Sequence, residues 1–243
     1  MDRPLGCVAI LAAMRAELKP VLKLLGTDGK GVTSGSEWRG QYKGIDVIMV
    51  LTGMGLEAAQ AATERLFSGH GDQLQHVFVV GIAGANDLRL DIGDVVIPEI
   101  VIDERDGISR HTVIAGDRST PSVIYSTDQL NYDADFVARL RRLNVTLVDM
   151  ESGAIAAVCE RNGCPITVIR AVSDKIDEHA ASFDVFHLAN ADGSPRYGAV
   201  LVYLLRQPWK LPYLVAMAAG AKKAISAASA ELLRSMERLL SHQ

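Results

Sequence analysis

Short apolar runs recur along the chain, and each is bounded by glycine, proline or aspartate. Most of these runs are continuous rather than alternating, a pattern typical of strands that are buried on both faces. The sequence predicts strands at 7–12, 46–51, 76–80, 94–98, 123–125, 145–148 and 167–172.

Helical periodicity occupies several of the intervals between these runs. It predicts helices at 15–25, 56–68, 133–143, 152–162 and 221–240. Alternation of strand and helix indicates an α/β fold in which one sheet lies between helix layers. Because no repeat, low-complexity tract or linker interrupts the pattern, we expect one domain over residues 1–243, with a C-terminal extension from about residue 190.

Composition narrows the classes of function. The 243 residues are 49% apolar, and 25 lysine and arginine residues face 29 aspartate and glutamate residues. A chain without an excess of basic residues does not neutralise the negative phosphates of a nucleic acid, so we expect no nucleic-acid partner. The three cysteines lack CxxC spacing, which favours a reducing cytoplasm and no metal site. The longest apolar stretch, 199–219, contains basic residues and prolines, so we expect no integral membrane segment.

The C-terminal part differs in charge from the rest of the chain. From residue 195 onwards there are seven lysine and arginine residues and two glutamates. Two interpretations stay open at this level. The basic residues either form a solvated helical face or belong to a surface that contacts lipid headgroups or an amphiphilic substrate.

Acidic residues follow three of the predicted strands, at Glu17, Glu151 and Asp174. Glycine-rich turns follow two others, at 53–55 and 81–84. Ligands of open α/β sheets bind beyond the carboxyl ends of the strands, so these positions predict a site for a small polar ligand. A helix N-terminus that stabilises Glu151, and a capping role for Asp174, are the structural alternatives.

The stretch 53–58 reads GxGxxA between a strand and a helix, which is the pattern of a dinucleotide site. Such a site also needs an acid at the end of the next strand, to bind a ribose. That strand ends at Gly81 instead. A close strand-to-helix turn is therefore preferred over a nicotinamide or flavin site.

Four segments together resemble the purine nucleoside phosphorylase and methylthioadenosine–S-adenosylhomocysteine nucleosidase superfamily. They are AAMRAEL (12–18), LTGMGLEAA (51–59), VGIAGANDLRLDIGDVVIP (80–98) and VDMESGAIAAVCERNGCPITVIRAVSD (148–174). The resemblance implies a three-layer α/β/α sandwich around a mixed, partly barrel-like sheet. It also implies cleavage of the N-glycosidic bond of a nucleoside without a metal or other cofactor, by a homodimer or higher homo-oligomer.

The resemblance assigns roles to individual residues of this chain. Glu151 would accept the ribose hydroxyls while Met150 packs against the sugar. Asp174, supported by Ser173, would donate a proton to the purine N7, and Glu17 would activate water. The remaining substrate-binding residues implied are Arg15, Met54, Gly81, Ile82, Ala83, Gly84, Asp128, Gln129 and Leu130. In the segment that would cover the base, Gln129 or Leu130 replaces the family's usual aromatic residue.

Comparison with the hexameric phosphorylases indicates whether water or phosphate attacks the glycosidic bond. In them an arginine precedes the third-strand glycine turn and a serine lies inside it; here Val79 and Ile82 occupy those positions. Arg15 is the one cation that the sequence places near the site, and Glu17 beside it favours water. We expect a nucleosidase acting on a purine nucleoside, with adenine as the expected base. A phosphorylase with phosphate as co-substrate, and a nucleoside-binding protein without turnover, are the alternatives.

The stretch that includes PRYGAVLVYLLRQPWKLPYLVAMAAGAKKA resembles the corresponding region of hopanoid-associated members, which act on adenosylhopane. This resemblance implies a substrate with a large 5′ substituent, and a contact between the C-terminal part and a lipid surface. A packing helix or an oligomer contact is the alternative.

Overall fold

The computed structural model describes residues 6–26, 36–114, 121–129, 133–176 and 211–241. Within these ranges the strands are β1 Cys7–Ala12, β2 Glu37–Tyr42, β3 Ile45–Leu51, β4 Leu74–Ala85, β5 Val95–Val96, β6 Ile100–Asp103, β7 Ser109–His111, β8 Val123–Ser126, β9 Leu147–Asp149 and β10 Ile166–Lys175. The α-helices are α1 Arg15–Leu24, α2 Leu56–His70, α3 Ala134–Arg142, α4 Ser152–Arg161 and α5 Leu211–Ser241, and Gly71–Gln73 forms a 3₁₀ turn.

The strands form one mixed sheet that branches at β4. Its main order is β2-β3-β1-β4-β9-β8-β6-β7, and β10 pairs with both β4 and β5. Strand β4 is parallel to β1 and to β10, and its last residues pair antiparallel with β9. The predicted mixed sheet is confirmed. The expected partial closure into a barrel is wrong, because no pairing among the described strands closes the sheet.

Helices cover the sheet on both faces, as the three-layer prediction requires. Helices α2 and α4 pack on one face, where Leu66 and Ile155 are buried against β1 and β4. Helices α1 and α5 pack on the other, where Leu18 and Leu232 are buried against the same strands. Helix α3 closes a smaller cluster with β6, β8 and β9.

Continuous apolar runs explain why the seven predicted strands are present. Val8 and Ala9 are adjacent in β1, face opposite helix layers and are both buried. The strands that the pattern missed are β2, β6 and β7. Strand β2 is the polar stretch EWRGQY at one end of the sheet, where only Trp38 is fully buried. An edge strand buries one face at most, so its sequence lacks an apolar run.

Two predicted boundaries are wrong in a way that affects the site. The strand expected at 76–80 continues to Ala85, so Gly81 and Gly84 lie inside β4 and not in a turn. These residues continue the ladder with β10, where Gly81 pairs with Arg170. Likewise β10 runs to Lys175 and therefore contains Ser173 and Asp174.

The C-terminal helix begins at Leu211, ten residues before its predicted start. Ala224, Ala228, Leu232 and Met236 recur every four residues and are buried against β4, β10 and α1. This half of the helix therefore packs on the sheet. None of the described helices contains an uncharged apolar stretch of the length that a bilayer span requires. The single domain with an extension from about residue 190 stays a prediction, because residues 177–210 lie outside the described ranges.

The packing of α5 can be tested by shortening a buried side chain. Leu232 is 0% exposed, so Leu232→Ala should lower the free energy of unfolding by about 2–5 kcal/mol, measured by urea denaturation. The control is Val215→Ala on the same helix, at a position that is 60% exposed, which should change it by less than about 0.5 kcal/mol. Equal effects of the two variants would show that α5 does not pack on the sheet.

Candidate active site

A buried arginine, Arg170 of β10, lies among three carboxylates. Its side chain is 1% exposed, and its Nη2 lies 2.6 Å from Asp149 Oδ2 and 3.2 Å from Glu151 Oε2. The third carboxylate is Glu17, which interacts with Arg170 electrostatically. A guanidinium inside a sheet is tolerated only when carboxylates compensate the loss of water. The cluster therefore explains how a charged residue occupies a buried strand.

Glu17 connects the first turn of α1 to strand β4. It is 2% exposed, and its carboxylate accepts hydrogen bonds from Ile82 N at 3.0 Å and Met14 N at 2.9 Å. Burial raises the pKa of Glu17, and the charge of Arg170 and the backbone donors oppose this rise only in part. A buried carboxylate with a raised pKa is a stronger base than an exposed one.

Glu151 directly precedes α4 and points inward, as the sequence predicted. It is buried, and its Oε1 accepts a hydrogen bond from Gly55 N at 3.2 Å. Burial is the main cause that raises the pKa of Glu151; Arg170 lowers it, and the charges of Asp149 and Glu17 raise it further. One carboxylate therefore joins the turn before α2 to the arginine of β10.

Gly81 allows these side chains to approach the sheet. A Cβ placed on Gly81 would lie 2.1 Å from Arg170 Nη1 and 2.5 Å from Glu17 Oε1. Both atoms therefore occupy space that any other residue at position 81 would fill. The absence of a Cβ at this position is a requirement of the cluster.

The turn at 53–55 has the geometry of a tight strand-to-helix connection. Gly53 and Gly55 have φ values of 82° and 98°, which favour glycine. Gly55 N donates to Glu151, and Leu56 N donates to Asp128 Oδ1 at 2.9 Å. The N–H groups of Gly55 and of Leu56, the first residue of α2, are thus satisfied by carboxylates of the chain itself. Met54 lies half-buried in this turn.

Asp174 and Ser173 lie further along β10, beyond Arg170. The register of β10 against β4 shifts between Val172 and Asp174, and Asp174 pairs with Gly84. Ser173 Oγ donates to Asp174 Oδ1 at 2.5 Å and also lies 3.3 Å from Ala83 O. The side chain of Asp174 is exposed, in contrast to Glu17 and Glu151.

The structure thus brings most of the predicted residues to one edge of the sheet. Glu17 and Glu151 meet at Arg170, and Asp174 lies four residues further along the same strand. Met150 is half-buried between β9 and Glu151, and Gln129, also half-buried, is bonded through its N to Thr127 Oγ1. Leu130 lies outside the described residues. That these residues bind a ligand together stays a prediction.

Arg15 is placed differently from the expectation. Its side chain is exposed, and its Cζ lies 5.8 Å from the centroid of the Trp38 ring. The cation of the cluster is Arg170, which sequence reasoning missed together with Asp149. One signal could have found them. Arg170 interrupts the apolar run 166–172, and a charged residue in a buried strand requires an acidic partner.

Two further features concern ligand binding: the described residues contain no metal site, and a cavity lies away from the charged cluster. No group of three or more histidine, cysteine, aspartate and glutamate residues in the described ranges could hold a metal ion. A cavity of about 580 Å³ lies near the opposite end of β9, where Asn86, Thr146 and Arg238 contribute to its lining. None of the predicted site residues lines this cavity.

The fold and the cluster together define an α/β protein with a buried charged cluster at the carboxyl edge of its sheet. The particular family follows from the sequence match. The model of the phosphorylase superfamily matches residues 8–135 and 115–206, and the chain belongs to that superfamily.

Individual relatives agree with this assignment. The chain is 26% identical over 226 residues to aminodeoxyfutalosine nucleosidase of Helicobacter pylori strain ATCC 700392 / 26695, covering 78% of this chain and 95% of the relative. It is 26% identical over 210 residues to 5′-methylthioadenosine/S-adenosylhomocysteine nucleosidase of Glaesserella parasuis, covering 74% and 90%. The solved structure of futalosine hydrolase of H. pylori has the same fold, with a TM-score of 0.73, 20% identity, and coverage of 96% and 98%.

The close approach at Gly81 predicts that a methyl group is not tolerated there. Gly81→Ala should displace Arg170 or Glu17 and lower the free energy of unfolding by roughly 1–3 kcal/mol, measured by urea denaturation. Gly69→Ala is the control, because a Cβ at this position in α2 meets nothing within 4 Å. It should raise the free energy of unfolding by about 0.4–1 kcal/mol. A neutral Gly81→Ala variant would contradict the packing described.

The raised pKa of Glu17 predicts a pH dependence of stability. Above its ordinary pKa of 4.5, Glu17 ionises in the unfolded chain but keeps its proton in the folded protein until the raised pKa is passed. Stability of the wild type should therefore fall with rising pH through this window, relative to Glu17→Gln. Urea denaturation at several pH values measures the difference. A pH-independent difference between the wild type and Glu17→Gln would refute the assignment.

Proposed function

We propose that the protein is a nucleosidase that hydrolyses the N-glycosidic bond of an adenine nucleoside. The observation that carries this proposal is the buried cluster in which Glu17 and Glu151 meet at Arg170 beside the glycines of β4. Nucleosidases named for adenine-containing nucleosides are among the relatives of the chain. A buried base, a group for the ribose hydroxyls and a proton donor are what this reaction needs.

Water is the nucleophile in this proposal. Arg170 Nη1 and Nε are buried and have no hydrogen-bond partner among the described residues. They can donate to a water molecule beside Gly81, where Glu17 Oε1 accepts one of its protons. The water oxygen then bonds to C1′ of the ribose while the C1′–N9 bond breaks, and the bond's electron pair leaves with the base. The products are the free base and a ribose derivative.

The leaving base and the sugar each require a partner. Asp174 donates a proton to N7 of the purine, and Ser173 orients the Asp174 carboxyl through the 2.5 Å hydrogen bond. Glu151 accepts hydrogen bonds from the ribose hydroxyls and stabilises the positive charge that develops on the sugar. Met150 packs against the sugar, and residues 126–129 cover the base.

The charge of the cluster favours hydrolysis over phosphorolysis. Asp149 compensates the charge of Arg170, and burial raises the pKa of both Glu17 and Glu151, so the cluster has no net positive charge that would attract a phosphate dianion. Water as the nucleophile needs no such charge. Phosphorolysis is retained as the alternative because Arg170 has donors free of partners among the described residues. A nucleoside-binding protein without turnover is the other alternative.

Further properties belong to the same proposal. The reaction needs no cofactor, because water is the second substrate. We place the protein in the cytoplasm, as a homodimer or higher homo-oligomer. A large 5′ substituent on the nucleoside and contact of the C-terminal part with a lipid surface follow from the sequence resemblance of that part.

The activity is tested by measuring release of free adenine from methylthioadenosine and S-adenosylhomocysteine by chromatography. The rate should not depend on added phosphate, and the sugar product should carry no phosphate. Ribose 1-phosphate derivatives as products would support the phosphorylase instead. Saturable binding of a nucleoside without release of any base would support the binding protein.

The role of Asp174 is tested by Asp174→Asn. Loss of the proton donor should lower kcat by about 10²–10⁴-fold with a much smaller change in KM. Asp72→Asn, in the exposed 3₁₀ turn, is the matched control and should leave both constants unchanged. A kcat of Asp174→Asn within twofold of the wild type would remove Asp174 from the mechanism.

A further inference from the structure

Asp149 is buried beside Arg170, yet the hydrolysis described above does not use it. Its Oδ1 accepts a hydrogen bond from Ser126 Oγ at 2.5 Å, and its Oδ2 accepts one from Ser152 Oγ at 2.5 Å. Arg170 Nη2 lies 2.6 Å from the same Oδ2. Ser126 belongs to β8, Ser152 begins α4 and Arg170 belongs to β10. The carboxylate of Asp149 is therefore held by three elements of the fold.

The orientation of the Arg170 guanidinium depends on the partners of Nη2. The group is planar and rigid, so the shortest contact of Nη2, with Asp149, together with those to Glu151 and Ser152, directs Nη1 and Nε. Nη1 points to Gly81, at the place where Glu17 Oε1 also approaches. Nη1 and Nε are buried and have no partner in the described ranges, and such donors call for a ligand atom. The contact with Asp149 thus keeps two donors of Arg170 directed at the space beside Glu17.

The charge of Asp149 has a second effect. Without it, Arg170 would face Glu17 and Glu151 alone, and the cluster would carry one negative charge less. An anion the size of phosphate would then meet weaker repulsion at Nη1 and Nε. Asp149 has no hydrogen bond or ion pair with Glu17 in the contacts described, so it acts on the space beside Glu17 through Arg170, and its charge also raises the pKa of Glu151 directly.

We propose that Asp149 is a positioning residue that selects the nucleophile: it holds Arg170 so that Nη1 and Nε bind water beside Glu17, and its charge prevents Arg170 from binding phosphate instead. This inference rests on the proposed hydrolysis. It extends that proposal by naming the residue that discriminates between water and an oxyanion.

The test is Asp149→Asn, which keeps the size of the side chain and removes its charge. Release of adenine from methylthioadenosine should show a kcat lowered by up to about 100-fold, since a misplaced catalytic group costs that much, with a nearly unchanged KM. Millimolar inorganic phosphate should inhibit Asp149→Asn and leave the wild type unaffected. The inhibition by phosphate is the readout that a purely structural role would not change.

A matched control is available in Asp103→Asn. Asp103 is also buried, and its Oδ2 lies 2.6 Å from an arginine nitrogen, Arg105 Nη2, but it has no contact with Arg170. Its variant should keep the kcat of the wild type and stay insensitive to phosphate. Thermal unfolding of both variants shows whether their stability is comparable.

A milder variant covers the case in which Asp149→Asn does not fold. Ser152→Ala removes one hydrogen bond to Asp149 and the 3.2 Å contact with Arg170 Nη2. It should lower kcat less than Asp149→Asn and show weaker inhibition by phosphate. If neither folded variant is inhibited by phosphate, or if Asp103→Asn behaves in the same way, the inference is wrong. Wild-type protein that releases no base would instead refute the proposed function itself.

Discussion

The ion pairing of Arg170 inside the sheet is the constraint on which the rest of the site depends. A guanidinium that is 1% exposed must be compensated on several sides, and two segments provide that compensation: Glu17 of α1, and Asp149 and Glu151 at the end of β9 and just beyond it. Loss of one partner of a buried pair leaves an uncompensated charge, which commonly costs about 3–5 kcal/mol. The ends of β9 and β10 and the start of α1 are therefore held together by charge as well as by the apolar core.

The same carboxylates also organise the loops around the cluster. Glu151 accepts the N–H of Gly55, and Asp128 accepts the N–H of Leu56, so the N-terminus of α2 is tied to two distant parts of the chain. These bonds use positions where a helix would otherwise attract an external anion. The turn at 53–55, which resembles a dinucleotide motif, therefore connects β3 to α2 and is fixed by these hydrogen bonds. The positive φ values of Gly53 and Gly55 explain why both positions are glycine.

Elements buried on both faces could be predicted from the sequence, because a short continuous apolar run between turn residues is typical of a strand covered on both sides. Strand β1 matches its predicted range, and Glu151 points inward as the spacing of Ile155, Val158 and Cys159 indicated. Edge strands such as β2 could not be predicted, since the polar stretch EWRGQY is defined by its pairing with β3. The role of Arg170 could not be predicted either. Its acidic partners are at least 19 residues away in the sequence. The register of β4 against β10, which places Arg170 beside Gly81, is known only from the structure.

The position of helix α5 at the end of the described chain affects folding during synthesis. It supplies part of the layer over Ile169 and Ala171 of β10, yet it follows all ten described strands in the order of synthesis. Until its residues have left the ribosome, the neighbours of Arg170 on that strand have an incomplete apolar cover. Nascent chains with such exposed surface are prone to aggregate or to recruit chaperones. The apolar cover of β10 on this face is thus complete only after α5 has been synthesised.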